Sequence, residues 1–87
     1  MKIDMTEVDS LDQFHDLIQR NLEFPPCYGR NLDAFWDCLT DIIEEIHVEL
    51  VGIGSLPPRL SSDVGGYVAL MKEYSAATNG VFSVVTR

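Results

Sequence analysis

Residues 28–41 read YGRNLDAFWDCLTD, and the fold turns on whether this stretch is a helix. Gly29 permits a turn and Asn31 is a good N-cap. Phe35, Leu39, Ile42 and Ile46 then recur at helical spacing, with Leu32 and Ile43 beside them. The spacing predicts a helix over 32–46 with one apolar face. On the opposite side of the wheel fall Asp33, Asp37, Asp41 and Glu44, with Thr40 among them and Trp36 at the border. No Lys or Arg interrupts them; Arg30 comes before the helix starts. Like charges at i,i+4 cost about 0.2–0.5 kcal/mol per pair, and only Asp33 lies near enough to the positive helix end to gain from the dipole. The stripe therefore does nothing for the helix. Two readings stay open on the stripe alone. It is the solvated face of an acidic protein, or it is an interface whose charges and flanking aromatics, Trp36 and Tyr28, have hot-spot composition.

Outward from this helix, the rest of the chain supplies strands and two more helices. Residues 2–8, KIDMTEV, alternate in part and predict a short strand. Ser10 and Gln13 have capping-box form ahead of Leu11, Phe14, Leu17, Ile18 and Leu22, which predict a helix over 11–22. His15 lies off that apolar face and reads as a surface residue. Pro25-Pro26 ends the helix and makes the next stretch a loop. Residues 47–53, HVELVGI, suit a buried strand. Gly52, Gly54, Pro57 and Pro58 punctuate a loop with room for one helical turn. Ser61 or Ser62 can cap a helix over 62–77 with Val64, Tyr67, Val68, Met71 and Tyr74 inward; Gly65 and Gly66 would weaken its first turn by roughly 1 kcal/mol each. Asn79-Gly80 ends it, and residues 81–86, VFSVVT, make a last strand. The order is β-α-α-β-(short turn)-α-β. That is an α/β fold with a mostly parallel sheet covered by helices, and 87 residues argue for one domain, 1–87.

Composition bounds the function. Fourteen acids against six bases give a formal charge of −8, which argues against direct nucleic-acid binding and favours a basic partner. No apolar run approaches the roughly 18 residues of a membrane span. The N-terminus MKIDMTEVDS lacks the apolar segment of a secretion signal, so the expected compartment is the reducing cytoplasm, with Cys27 and Cys38 as free thiols. Cys27, Cys38, His15 and His47 show none of the close spacings of a zinc site, and no cofactor is expected. Paired Asp residues can act as acid and base, but need a cleft that an exposed stripe does not offer. No Ser-His-Asp, Cys-His or Gly-rich phosphate motif is present. A cation site on Asp33, Asp37 and Asp41 would lack the loop and Gly of a calcium-binding hand.

The run Tyr28-Gly29-x-Asn31-Leu32-Asp33-Ala34-x-Trp36-Asp37-Cys38-Leu39-Thr40, placed after a helix and a Pro-containing loop, resembles the barstar family of intracellular ribonuclease inhibitors. The resemblance implies three parallel strands with helices packed on them, no enzymatic activity, and a loop and second helix that plug the active site of a ribonuclease. It implies that Asp37 is the central carboxylate, received where the enzyme binds phosphate, and that Asp33 meets a second basic group. Tyr28, Gly29, Asn31, Trp36 and Thr40 match family positions in or near the interface. Glu73 is a counterpart of a further acidic contact from the last helix, with Tyr74 competing for the position. Departures from the pattern are Cys27 in place of an aromatic residue, Arg30 in place of an acid, Asp41 for a glycine and Ile42 for a tryptophan. The expected partner is then a basic, extracellular-type ribonuclease or a ribonuclease toxin domain, bound 1:1 and neutralised by this chain as its immunity protein. Asp41 would suit a partner with a larger basic patch. The rival reading is a non-inhibitory acidic docking domain.

Overall fold

The computed structural model describes residues 1–87. The elements are β1 (Lys2–Asp4), α1 (Leu11–Asn21), α2 (Leu32–Thr40), β2 (Ile46–Val51), a 3-10 turn (Ile53–Ser55), α3 (Pro58–Ala77) and β3 (Phe82–Thr86). The strands lie in the order β1-β2-β3 and both pairings are parallel, with Ile3 opposite Leu50 and Val48 opposite Val84. Parallel neighbours need a crossover; α1 and α2 supply the first and α3 the second. The expected α/β architecture, with three parallel strands packed by helices, is the one observed.

The sheet is covered on one side. Along β2, Val48 and Leu50 are buried and His47 is exposed. By register Lys2, Glu49 and Val85 share the outer side, as do His47 and Ser83. β2 therefore alternates between a buried and a more exposed side, where a buried strand was expected over 47–53. The helices close over the inner side around nineteen buried apolar residues. Five aromatic rings dominate that core: Phe14, Phe24, Tyr28, Phe35 and Tyr67 meet largely edge to face at 5.1–5.8 Å.

Local chemistry sets the boundaries, and several differ from expectation. β1 stops at Asp4, not at residue 8. The Asp4 carboxylate accepts from the Thr6 N–H at 2.9 Å and from its hydroxyl at 2.7 Å, an Asx turn that replaces strand pairing. Helix α1 starts at the expected cap: the Ser10 hydroxyl accepts from the Gln13 N–H, while the Gln13 side chain reaches one residue past the cap, to the Asp9 N–H at 2.7 Å. Helix α3 starts at Pro58, four residues before the expected start at 62 and ahead of both candidate serine caps. Proline at the first helical position loses no bond, because that N–H has no intrahelical partner anyway. Gly65 and Gly66 consequently fall inside the helix, not in its first turn.

The largest correction is the end of α2. It stops at Thr40 instead of running to 46. Its last turn carries no base, while Asp37, Asp41, Glu44 and Glu45 crowd the negative end of the dipole. The Thr40 hydroxyl turns back to the Trp36 carbonyl at 2.8 Å, a bond that competes with the helical ladder. The Ile42 carbonyl is taken by the Tyr74 hydroxyl at 3.2 Å. Ile43, expected beside the core, is 87% exposed, and Glu44 leaves the stripe.

Phe35 is fully buried, and its ring meets Phe24 and Tyr67. Phe35→Ala should cost about 3–5 kcal/mol, a large share of a small domain's stability. Urea unfolding checks this: the midpoint should fall sharply with an unchanged slope, and a shift under about 1 kcal/mol would mean that α2 is not pinned through this ring.

Candidate protein-binding site on the second helix

Helix α2 is placed from both ends. At its start the Asn31 side chain caps the Ala34 N–H at 2.8 Å. Along its length Phe35 and Leu39 are fully buried, and the helix packs on α3. With that face inward, Asp33 and Asp37 are exposed and Trp36 is half-buried, its ring set edge-on to Tyr74 at 6.1 Å.

Between α2 and α3 runs a shallow groove of about 520 Å³, lined by Leu32, Asp33, Trp36, Asp37, Leu70 and Glu73. Three acids from two helices thus share one depression with the indole. None of the three is in a salt bridge, and no base lines the groove. Glu73, not Tyr74, faces it. The Tyr74 ring is turned inward between Trp36 and Phe82, and its hydroxyl is spent on the Ile42 carbonyl.

The other residues singled out from sequence divide. Asp41 stands apart, in a separate depression with Glu23, Phe24, Cys38 and Glu44. Thr40 keeps its hydroxyl on backbone carbonyls of its own helix. Gly29 lies tight against α2: a β-carbon there would sit 3.2 Å from the Ala34 methyl. Tyr28, expected in or near the interface, is 6% exposed, and its ring belongs to the aromatic core. Burial pushes its phenol well above the usual range. Burial likewise raises the Cys38 thiol, with Asp41, Cys27 and Asp37 adding to the effect, so it is a poor nucleophile. No three His, Cys, Asp or Glu side chains converge closely enough to hold a metal ion.

His15 is the residue that helical periodicity misplaced. It is 1% exposed, enclosed by Phe14, Tyr28 and Tyr67, with Nδ1 2.8 Å from the Tyr28 hydroxyl. Its Nε2 has no hydrogen-bond partner. The single clue in the sequence was position: a residue beside Phe14 on α1 can reach a loop that folds back over the helix. The loop does fold back, because Gln19 donates to the Pro25 carbonyl at 2.9 Å and the Arg30 guanidinium binds Asp16, Gln19 and the Asp12 carbonyl.

The fold and this face define a class: an α/β protein with three parallel strands that presents unpaired acids around a tryptophan on a well-packed helix. The chain belongs to the barstar family; the model of that family, described as Barstar (barnase inhibitor), matches residues 1–87. A Bacillus subtilis (strain 168) protein named "Putative ribonuclease inhibitor YrdF" is 45% identical to it over 42 residues. That match covers 48% of this chain and 46% of the relative, so about half the length of that protein is matched. No helix is long and apolar enough to cross a membrane.

Burial lowers the His15 pKa from its ordinary 6.5, and Arg30 acts in the same direction against the opposing pull of Asp12 and Asp16. The unfolded chain therefore binds a proton at a pH where the folded one does not. Stability should be full above about pH 6.5 and fall as the pH drops below it, by at most about 1.4 kcal/mol per unit. Urea unfolding near pH 7.5 and near pH 5.5 measures the loss. His15→Gln should flatten the difference; an equal loss in that variant would place the titration elsewhere.

Proposed function

We propose that this protein inhibits a ribonuclease by filling its basic active-site cleft with α2, the loop before it and the adjoining edge of α3. The supporting observation is the groove between α2 and α3, where Asp33, Asp37 and Glu73 surround Trp36 with no cation of the chain's own. Unpaired carboxylates on a rigid surface repel one another and gain nothing until a cation arrives. A cleft that binds RNA phosphates offers Arg and Lys in abundance, and carboxylate–Arg pairs are among the strongest hydrogen-bonded contacts. Family membership and the inhibitor name of the relative point to the same partner class.

The mechanism is occlusion. Asp37 takes the place of a substrate phosphate, and Asp33 and Glu73 engage basic groups at its margin. Trp36 covers the contact and keeps water from the charge pairs, as aromatic residues do at the centre of interfaces. The chain's formal −8 draws a basic enzyme in. The partner is a basic, extracellular-type ribonuclease or a ribonuclease toxin domain, bound 1:1. In a cell that makes such an enzyme, this chain is its cytoplasmic immunity protein. Ile43, exposed beyond the end of α2, lies outside this surface.

Co-expression with candidate ribonucleases, scored by survival, and RNA cleavage assays with and without the protein test the proposal. An enzyme bound but left fully active would make the chain a docking domain instead. For the cognate pair, Asp37→Ala should weaken binding by at least about 2 kcal/mol. Asp41→Ala, in its separate depression, should cost under about 1 kcal/mol. Added salt should slow association more than it speeds dissociation. An Asp37→Ala loss within error, or an association rate flat with salt, would sink the assignment of this face.

A further inference from the structure

Arg30 is a cation in the loop that leads into an acidic surface, at a place where the family resemblance implies an acid. Against a basic partner it should repel. The structure shows where its charge goes. One terminal nitrogen of the guanidinium binds the Asp16 carboxylate and donates to Gln19 Oε1 at 3.2 Å; the other donates to the Asp12 carbonyl at 3.3 Å. All three acceptors are on α1. Gln19 completes the set by donating to the Pro25 carbonyl, which also accepts from the Tyr28 N–H.

The backbone adds a second observation. Arg30 has φ +56°, in the left-handed region that side-chain-bearing residues seldom adopt. It immediately precedes Asn31, the cap of α2. A residue in that conformation turns the chain sharply, so its side chain and its backbone together set the angle at which α2 leaves the loop. Helix α2 packs on α3, and the side-chain bonds from the loop to α1 come from Gln19, from the His15–Tyr28 pair and from Arg30.

We infer that Arg30 is a positioning residue for the binding surface: by bridging the turn before α2 to Asp16, Gln19 and Asp12 on α1, it holds Asp33 and Asp37 in the geometry that the partner receives. The inference rests on the proposed function for its binding consequence, and not for its structural one. The pairing with Asp16 also cancels the charge that would otherwise oppose association. Holding the loop before the partner arrives raises the fraction of molecules competent to bind, and the apparent affinity rises with that fraction.

The test uses Arg30→Ala, Asp16→Asn and the double variant, whose net charge equals the parent's −8. Amide hydrogen exchange is measured on the free proteins, and binding rates on a ribonuclease that the parent inhibits. In all three variants the amides of residues 27–34 should exchange at least about fivefold faster, while those of β2 and the middle of α3 are unchanged. The double variant should bind at least about fivefold more weakly than the parent and no more weakly than the worse single variant, because both changes break one link. Arg30→Lys keeps the charge without the fork, and should fall between parent and Arg30→Ala. If charge alone mattered, Arg30→Ala would bind more tightly than the parent and the double variant, which keeps the parent's charge, would bind as the parent does; either result overturns the inference. Unchanged exchange in residues 27–34 overturns it as well. A parent that binds no ribonuclease would instead remove the proposed function, and the exchange measurement would still decide whether Arg30 holds the loop.

Discussion

Everything at the proposed binding surface depends on the burial of Phe35 and Leu39. These two side chains are fully enclosed, and they lie four residues apart on a helix of nine. A helix so short forms in water only with tertiary help. Once this pair is driven inward, rotation about the axis is settled. Asp33 and Asp37 then have nowhere to go but out, and Trp36 is left at the margin. The same packing on α3 brings Glu73 to the far side of the groove. The hydrophobic effect has no preference for acids at those positions, but it decides which residues stand in water.

The acids themselves work against the fold that displays them. Asp33 and Asp37 repel along the helix, and neither finds a cation within the chain. Asp41 and the acids beyond it sit at the negative end of the dipole, where the helix gives way. A chain selected for stability alone would place Lys or Arg in that last turn. Departures of this kind concentrate where a protein meets its partner. That repulsion, about 0.2–0.5 kcal/mol per pair, is small beside the burial of the aromatic core.

The loop ahead of α2 is held in a different way. It has little regular structure, yet it is tied to α1 by Gln19, by Arg30 and by the His15–Tyr28 pair. The inner tie is buried and aromatic; the outer tie is charged and exposed. The two respond to different conditions. Protonation of His15 would place a charge where Nε2 has no partner, whereas salt acts on the Arg30–Asp16 contact at the surface.

The order of elements, the parallel sheet and the faces of α2 could be read along the chain alone. Each rests on a local signal: the spacing of Phe35 and Leu39, the caps at Ser10 and Asn31, and the punctuation by Pro25, Pro26 and Gly80. The Asp33–Trp36–Asp37 set was legible for the same reason, since residues one helical turn apart share a face wherever the helix lies. Tertiary structure decided what depends on contacts between distant segments. The end of α2 needed Tyr74, thirty-two residues on, to take the Ile42 carbonyl. That Glu73 and not Tyr74 lines the groove followed from the inward turn of the tyrosine ring toward Trp36 and Phe82. His15 and Tyr28 moved into the core because a loop thirteen residues away folds back over α1. Helical periodicity cannot register that cover. It records which side of a helix faces its own apolar neighbours, and is blind to a loop that buries the other side.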